Sequence, residues 1–284
     1  MSSLPRTREI QITETLTVGG NRPFALIAGP CVIESRDLVM QVAEHLRTVT
    51  DRLEIPLIFK ASFWKDNRSS AEYFRGPGPE EGLRVLEEVK RTFDIPVLTD
   101  VHLPEQAAMA AEVVDVIQVP AFLCMQTSLT EAVARTGKPV NVKKGQFLAP
   151  EDVQHIYNKY IHFGNPKVMF TERGTAFGYH NLVVDFRSLP TIRSMGHPVV
   201  MDATHPVRRY GVPSKDPRGG SPELIPYIAR AGVAVGTDLV FIETHPDPPS
   251  ALSDASSMLP MGRLEDLLRQ LRDLDRYIKT GAWA

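Results

Sequence analysis

Cysteine is almost missing from this 284-residue chain. Only Cys31 and Cys124 are present, too few for a disulfide framework and in keeping with a reducing compartment. Nowhere do about 18 apolar residues run together, which removes any candidate for a membrane-spanning helix. The opening "MSSLPRTREIQITETLTVGG" has no apolar stretch of the kind a secretory leader needs, so the expected address is the cytoplasm. An excess of charge of one sign is missing too. A net charge of -2 offers no general attraction to nucleic acid or to an anionic membrane, and any anionic ligand has to be held by a local cluster of cations. No Gly/Ser-rich linker or charge run divides the chain, so a single domain over 1–284 is expected, with 1–22 as an N-terminal extension. What remains is the composition of an enzyme-sized globular protein, 43% hydrophobic and 23% charged.

The apolar residues are organised by repetition. Short β-rich runs bounded by Pro, Gly or polar residues start at 24 ("FALIAG"), 56 ("PLIFK"), 96 ("PVLTD"), 116 ("VIQVP"), 139 ("PVNVKK"), 167 ("KVMFTER"), 198 ("PVVMD") and 239 ("LVFIE"). Most are nearly continuous apolar stretches, the signature of parallel strands covered on both faces. Between them, "LVMQVAEHLRTVTDRL", "GLRVLEEVKRTF", "LTEAVARTG" and "LEDLLRQLRDLDRYI" space apolar residues at three and four, as amphipathic helices do. Eight such units point to an α/β fold, a (β/α)8 TIM barrel, with "IQITETLTV" as a β-hairpin over its bottom; an open doubly wound sheet is the alternative.

Polar residues end the strands. Lys60, Asp100, Gln118, Lys143, Arg173, Asp202 and Glu243 fall at or just past the C-terminal ends of seven runs, and Cys31 follows the first. A barrel gathers those ends into one ring, where catalytic groups sit in this fold. Metal-ligand types recur in the ring. Cys31 in "LIAGPCVIES", His205 in "MDATHP", Glu243 and, eleven residues on, Asp254 could surround one divalent ion, with His245 and Asp247 as competitors. The mix of thiolate, imidazole and carboxylate suits Fe, Zn, Co or Mn without selecting one. A second cluster is cationic: Lys60, Lys65, Arg68, Lys143, Lys144 and Arg173, joined by Asn67, Ser69 and Ser70 of "KDNRSS" and by Arg75. Such a ring is costly through like-charge repulsion unless phosphate or carboxylate ligands neutralise it.

The motifs "AGPCVIES", "FKASF", "NRSS", "FRGPG", "TDVH", "PAFLC", "NVKKGQFLAP", "TERGTAFGYHNLVVDFRSLP", "DATHP", "ETHPDP" and "LSDASSMLP" occur in order from about residue 24 to 270. In that order they resemble the 3-deoxy-D-manno-octulosonate 8-phosphate synthases. The resemblance implies a transferase that condenses phosphoenolpyruvate with D-arabinose 5-phosphate and water, releasing phosphate, in lipopolysaccharide biosynthesis. It also implies a barrel that assembles as a homotetramer. Cys after "GP" is the mark of the metal-dependent branch, which implies Cys31, His205, Glu243 and Asp254 as ligands. By the same resemblance Lys143 and Arg173 hold the phosphate of phosphoenolpyruvate, Lys60, Lys65 and Gln118 lie near its carboxylate, and Asn67, Arg68 and Ser69 face the sugar phosphate. Lys60, Asn67, Asp100 and His205 are the candidates for the chemical step. Cys124 is expected to be a packed strand-end residue. A related phosphoenolpyruvate-dependent synthase with another aldose acceptor, or a non-catalytic paralogue that binds sugar phosphate or metal, are the rival readings.

One position departs from the pattern. After "PAFLC" these synthases usually carry "RQTD", whose Arg reaches the sugar phosphate across a subunit interface, whereas this chain has "MQTS" with Met125 and Ser128. Either another cation, with Arg75, Arg208 and Arg209 as candidates, replaces that charge, or the acceptor differs at its phosphate end.

Overall fold

The computed structural model describes residues 4–176, 180–213 and 216–282; residues 177–179 of the "TERGTAFGYHN" motif lie outside them. Strands β1 (Ile10–Gln11) and β2 (Thr17–Val18) form an antiparallel hairpin. They are followed by β3 (Ala25–Gly29), β4 (Leu57–Lys60), β5 (Val97–Asp100), β6 (Val116–Val119), β7 (Val140–Lys143), β8 (Val168–Glu172), β9 (Val199–Asp202) and β10 (Leu239–His245). Each of these eight pairs in parallel with the next, and β10 pairs on its other edge with β3, Leu239 opposite Ala25 and Glu243 opposite Gly29. That last ladder closes the sheet into a (β/α)8 barrel and excludes the open alternative. A short β11 (Leu259–Pro260) extends β10 beyond the barrel.

Among the described residues seven α-helices occupy the crossovers, α1 (Arg36–Leu53), α2 (Pro79–Phe93), α3 (Gln106–Val113), α4 (Thr127–Arg135), α5 (Val153–His162), α6 (Ser188–Ser194) and α7 (Ile225–Val235), and α8 (Leu264–Thr280) follows the last strand. The first shows how local chemistry sets the bounds. The Ser35 hydroxyl accepts from the Leu38 amide at its N-terminus, Glu54 turns left-handed at its end, and Val39, Val42, Ala43, Leu46, Val49 and Leu53 present one buried stripe. No helix among the described residues is long and apolar enough to cross a membrane.

Side chains alternate across each strand, and the two faces meet different partners. Leu26, Ala28, Leu57, Phe59, Val97, Ile117, Val140, Val142, Phe170, Met201 and Val240 pack outward against the helices. Ala25, Ile27, Ile58, Leu98, Val116, Met169, Val200, Leu239 and Phe241 point inward and join Ile10, Ile12 and Val18 of the hairpin. The hairpin therefore plugs the N-terminal end of the barrel. The interior is apolar at the bottom, and the same inward phase further along the strands brings Lys60, Asp100, Gln118, Lys143, Asp202 and Glu243, with Arg173 one residue past the end of β8. This parity aims the polar side chains at one mouth, above an apolar plug.

Candidate active site and metal centre

At the C-terminal mouth a cavity of about 310 Å³ is lined by Lys65, Asn67, Arg68, Ser69, Asp100, Gln118, Lys143, Arg173, His205, Glu243 and Asp254, together with Pro120, Ala121, Phe122, Gln146, Arg208 and Tyr210. On one side of it, ligand atoms of Cys31, Glu243 and Asp254, all buried, lie within 4.8 Å of one another. The Cys31 Sγ is 3.2 Å from Asp254 Oδ2 and 3.0 Å from Ser253 Oγ. His205 stands outside that trio but beside it, its Nε2 3.9 Å from Glu243 Oε1 and its Nδ1 2.8 Å from Asp202 Oδ2. A carboxylate on one ring nitrogen with the other turned to a ligand cluster is how a metal-binding imidazole is oriented. His245 lies 3.9 Å from Glu34, its Nδ1 accepts from the Asp247 amide, and neither competitor joins the cluster.

The sequence brings these groups together through close approaches that few residues permit. Gly29 sits where a side-chain carbon would run into the Lys60 carbonyl, so β3 and β4 converge only because this position is glycine. That lets Lys60, 1% exposed, place Nζ 2.7 Å from both the Cys31 carbonyl oxygen and Glu243 Oε1. Lys60 does not line the cavity; it stands behind the ligand cluster. Asp254 adopts a left-handed backbone (φ 49°), and its other oxygen accepts from Arg208 Nη1 at 2.6 Å.

The electrostatics follow from burial. Burial, with Asp254 and Glu243 nearby, pushes the Cys31 thiol up to about 12, so it is a thiol unless a cation stabilises the thiolate. Burial also works against the carboxylates, but Lys60, His205 and Lys65 hold Glu243 below its ordinary range, and Arg208, His205 and Lys65 do so for Asp254. Asp100 is likewise held low, against burial, by Lys65, His102 and Lys60. Two low carboxylates, a thiol and the neighbouring imidazole form a donor set that a divalent ion of borderline softness fits, with three cations standing around it.

Opposite lie the anion-binding groups. Lys143 Nζ donates to Asp202 Oδ2 at 2.6 Å and sits 3.3 Å from the Phe241 ring centroid. Burial pulls its ammonium down to about 8 against the pull of Asp202. Arg173 Nη2 donates to the Tyr210 hydroxyl at 2.8 Å, while its buried Nη1 has no partner. Gln118 is steadied by Asn141, whose Nδ2 donates to Gln118 Oε1 at 3.0 Å and whose Oδ1 accepts from Thr171 at 2.6 Å. Lys65 stands 3.6 Å from Asp100 Oδ2.

Some expected members are elsewhere. Lys144 follows an inward residue and so points outward, where it is fully buried, 3.5 Å from Glu172 and donating to the Leu148 carbonyl. Arg75 pairs with Asp66 over the Trp64 ring and does not line the cavity. Ser70 is outside it as well. Cys124 is 1% exposed within the outer core. Met125 does not line the cavity; its carbonyl accepts from Lys159. The reading of strand ends missed Tyr210, Gln146, Ser253, Ser62 on Asp100, and His102, whose ring is buried beside Asp100. None of these carries a charge that would stand out in the sequence.

Comparison with known proteins agrees in extent. The DAHP synthetase I family matches residues 8–280. Proteins named 2-dehydro-3-deoxyphosphooctonate aldolase from Acidithiobacillus ferrooxidans and a Cyanothece species are 54% and 52% identical to it over 262 and 263 residues, covering 92% and 93% of this chain and 93% and 96% of theirs. One of the same name from Trichlorobacter lovleyi is 50% identical over 273 residues, 96% of this chain and all of its own length.

Proposed function

The chain belongs to the DAHP synthetase I family and, within it, to the 2-dehydro-3-deoxyphosphooctonate aldolases, and from that premise we propose that it condenses phosphoenolpyruvate with D-arabinose 5-phosphate and water to 3-deoxy-D-manno-octulosonate 8-phosphate and phosphate. The observation that carries this reading is one cavity lined by two groups of anion-binding residues, Lys143 with Arg173 and Asn67 with Arg68 and Ser69, beside a Cys31–Glu243–Asp254 cluster. The product enters lipopolysaccharide biosynthesis, and the enzyme acts in the cytoplasm as one catalytic domain.

In this reading Lys143 and the unpartnered Nη1 of Arg173 take the phosphate of phosphoenolpyruvate, with Gln118 and Lys65 towards its carboxylate. Asn67, Arg68 and Ser69 hold the acceptor with its aldehyde facing carbon 3 of the enol. A carbon–carbon bond forms between those atoms and the aldehyde oxygen takes a proton. Water adds at carbon 2, and phosphate leaves by cleavage of its bond to that carbon. Holding two anionic reactants in one orientation accounts for roughly 7 to 11 kcal/mol of barrier lowering in favourable cases. Asn67 and Lys65 supply donors for the aldehyde oxygen as its charge develops. Asp100 keeps Lys65 charged and in place. Lys60 is a positioning residue, since its ammonium is spent on Glu243 and the Cys31 carbonyl.

Cys31, His205, Glu243 and Asp254 would hold one divalent ion, Fe, Zn, Mn or Co, which when bound supplies positive charge for orienting the aldehyde or the water. Asp202 fixes His205 by its Nδ1, leaving Nε2 for that ion. Assembly as a homotetramer is supported by exposed apolar side chains beside the mouth, Leu103, Phe122, Met125 and Phe147, on the segments that follow β5, β6 and β7.

The test is phosphate release that requires both substrates. Arabinose 5-phosphate, erythrose 4-phosphate and ribose 5-phosphate are offered side by side with phosphoenolpyruvate. The reading expects arabinose 5-phosphate to give the highest kcat/KM; a preference for another aldose, or no release with any, removes it.

A further inference from the structure

Two guanidinium groups line the cavity away from Lys143, and both are moored to consecutive residues of one loop. Arg68 donates through Nη1 to Ser253 Oγ and reaches the Leu252 carbonyl at 3.4 Å. Arg208 donates through Nη1 to Asp254 Oδ1 at 2.6 Å. Each keeps a buried Nε–H with no hydrogen-bond partner. Two cations held on adjacent residues repel one another, and the carboxylate between them, Asp254, is already shared with Cys31. Buried donors of this kind are costly unless an acceptor arrives. Tyr210 divides this pair from the other end of the cavity: Arg208 and Arg173 lie over its ring at 5.4 and 5.8 Å, and its hydroxyl accepts from Arg173.

Building on the reading above, we propose that Arg208 is a specificity-determining residue that joins Arg68 in binding the phosphate terminus of the acceptor, from a mooring on Asp254 that links acceptor binding to the metal-ligand loop. Of the other cations weighed for this charge, Arg75 is turned to Asp66 and Arg209 does not line the cavity. Met125 carries no charge, so the phosphate terminus is held from within the barrel by the loop that follows β9. Arg208 reaches its place because Pro206 and Val207 form one tight turn after His205, and the chain then extends at Arg208 to pair with Gly220.

The test compares Arg208→Gln and Arg208→Lys with wild type in the metal-loaded, full-length enzyme. Losing one charge-assisted contact should raise KM for arabinose 5-phosphate about 10- to 100-fold and leave KM for phosphoenolpyruvate within about twofold. Arg208→Lys should recover part of the loss. Inhibition by arabinitol 5-phosphate should weaken in parallel, while that by unphosphorylated arabinitol should not. Bound metal per chain is measured alongside. A fall in metal content with equal damage to both substrates would mean that Arg208 only props Asp254, and the proposal would be wrong. Wild-type turnover of the pair with an unchanged acceptor KM in Arg208→Gln removes this inference alone. Absence of wild-type turnover removes the functional reading and this inference together.

Discussion

Replacing Lys60 by methionine isolates the charge that supports the ligand cluster. The change keeps the length and apolar stem of the side chain but removes an ammonium 2.7 Å from Glu243 Oε1, in a pair whose side chains are 1% and 2% exposed. At an effective dielectric of about 20 the lost attraction is of order 6 kcal/mol. The protein need not bear all of it, because Glu243 can take up a proton instead. At pH 7 that costs about 1.36 × (7 − 4.3), or roughly 3.7 kcal/mol, for a carboxyl that ionises near 4.3 when unfolded. The destabilisation of chelator-treated protein is therefore capped near 4 kcal/mol at pH 7. In the mutant the folded Glu243 has its pKa raised above the unfolded value, so the folded state binds the extra proton and the deficit shrinks as pH falls, to about 1 kcal/mol at pH 5. Urea unfolding of wild type and Lys60→Met at both pH values, without metal and with added divalent ion, measures it. The ion should restore part of the stability at pH 7 by replacing the missing charge. A deficit under about 1 kcal/mol at pH 7, or one that does not change with pH, would refute the argument that Glu243 depends on Lys60.

Three further outcomes are expected. Chelation should remove most activity and metal readdition should restore it, and Cys31→Asn should lose tight metal binding whereas Cys124→Ala should leave metal content unchanged; full activity of metal-free protein would rule out the ligand assignment. Because burial brings Lys143 down to about 8, its ammonium is lost as the pH rises past that value, so kcat/KM for phosphoenolpyruvate should fall about tenfold per pH unit above it, and Lys143→Arg should abolish that limb. His197 is buried, with Nδ1 accepting from Arg8 and Nε2 donating to Gln154, and burial and Arg8 hold its pKa down to about 4. The unfolded chain binds that proton below about 6.5, so stability should drop by up to about 1.4 kcal/mol per pH unit between 6.5 and 4. His197→Gln should flatten the difference curve in that window, and an unaltered slope would contradict the assignment.

The barrel was legible because its strands are buried on both faces and therefore appear as apolar runs, and all eight runs coincide with β3 to β10 to within a few residues. Helices were legible only where one face is wet. In α1, α2, α4 and α8 polar residues alternate with the buried stripe at helical spacing. The structure adds α3, α5, α6 and α7 to those four. "QAAMAAEV" in α3 is small and apolar nearly all round, α6 contains Pro190, and α7 opens with "IPYI" and stays apolar through "AGVAV". The apolar and small residues of α3 carry little periodic signal, and it is its position between strands that identifies it.

The site divides along the same physical line. Residues on strands were legible because they end apolar runs, and alternation fixes which face each takes. Lys60, Asp100, Gln118, Lys143, Asp202 and Glu243 share the inward phase of the apolar plug beneath them, and Arg173 continues the phase of Met169 and Thr171 one residue past β8. Lys143 and Lys144 look equivalent in "NVKKG", yet one faces the cavity and the other is locked behind the barrel wall against Glu172. Asn141 faces inward to Gln118, so Lys143, two residues on, shares its face and Lys144 does not. No such rule reaches the loops. Arg208, Tyr210, Gln146 and Ser253 depend on turns whose course is set by contacts far away in the chain, such as the mooring of Arg208 on Asp254, 46 residues further on. Of the groups that would take phosphoenolpyruvate, Gln118, Lys143 and Arg173 follow the phase of the strands, whereas Lys65 and the groups that would read the acceptor, Asn67, Arg68, Ser69 and Arg208, are placed by loops. A barrel of this kind can therefore keep most of its donor chemistry on the strands while its acceptor selectivity is rewritten in the loops.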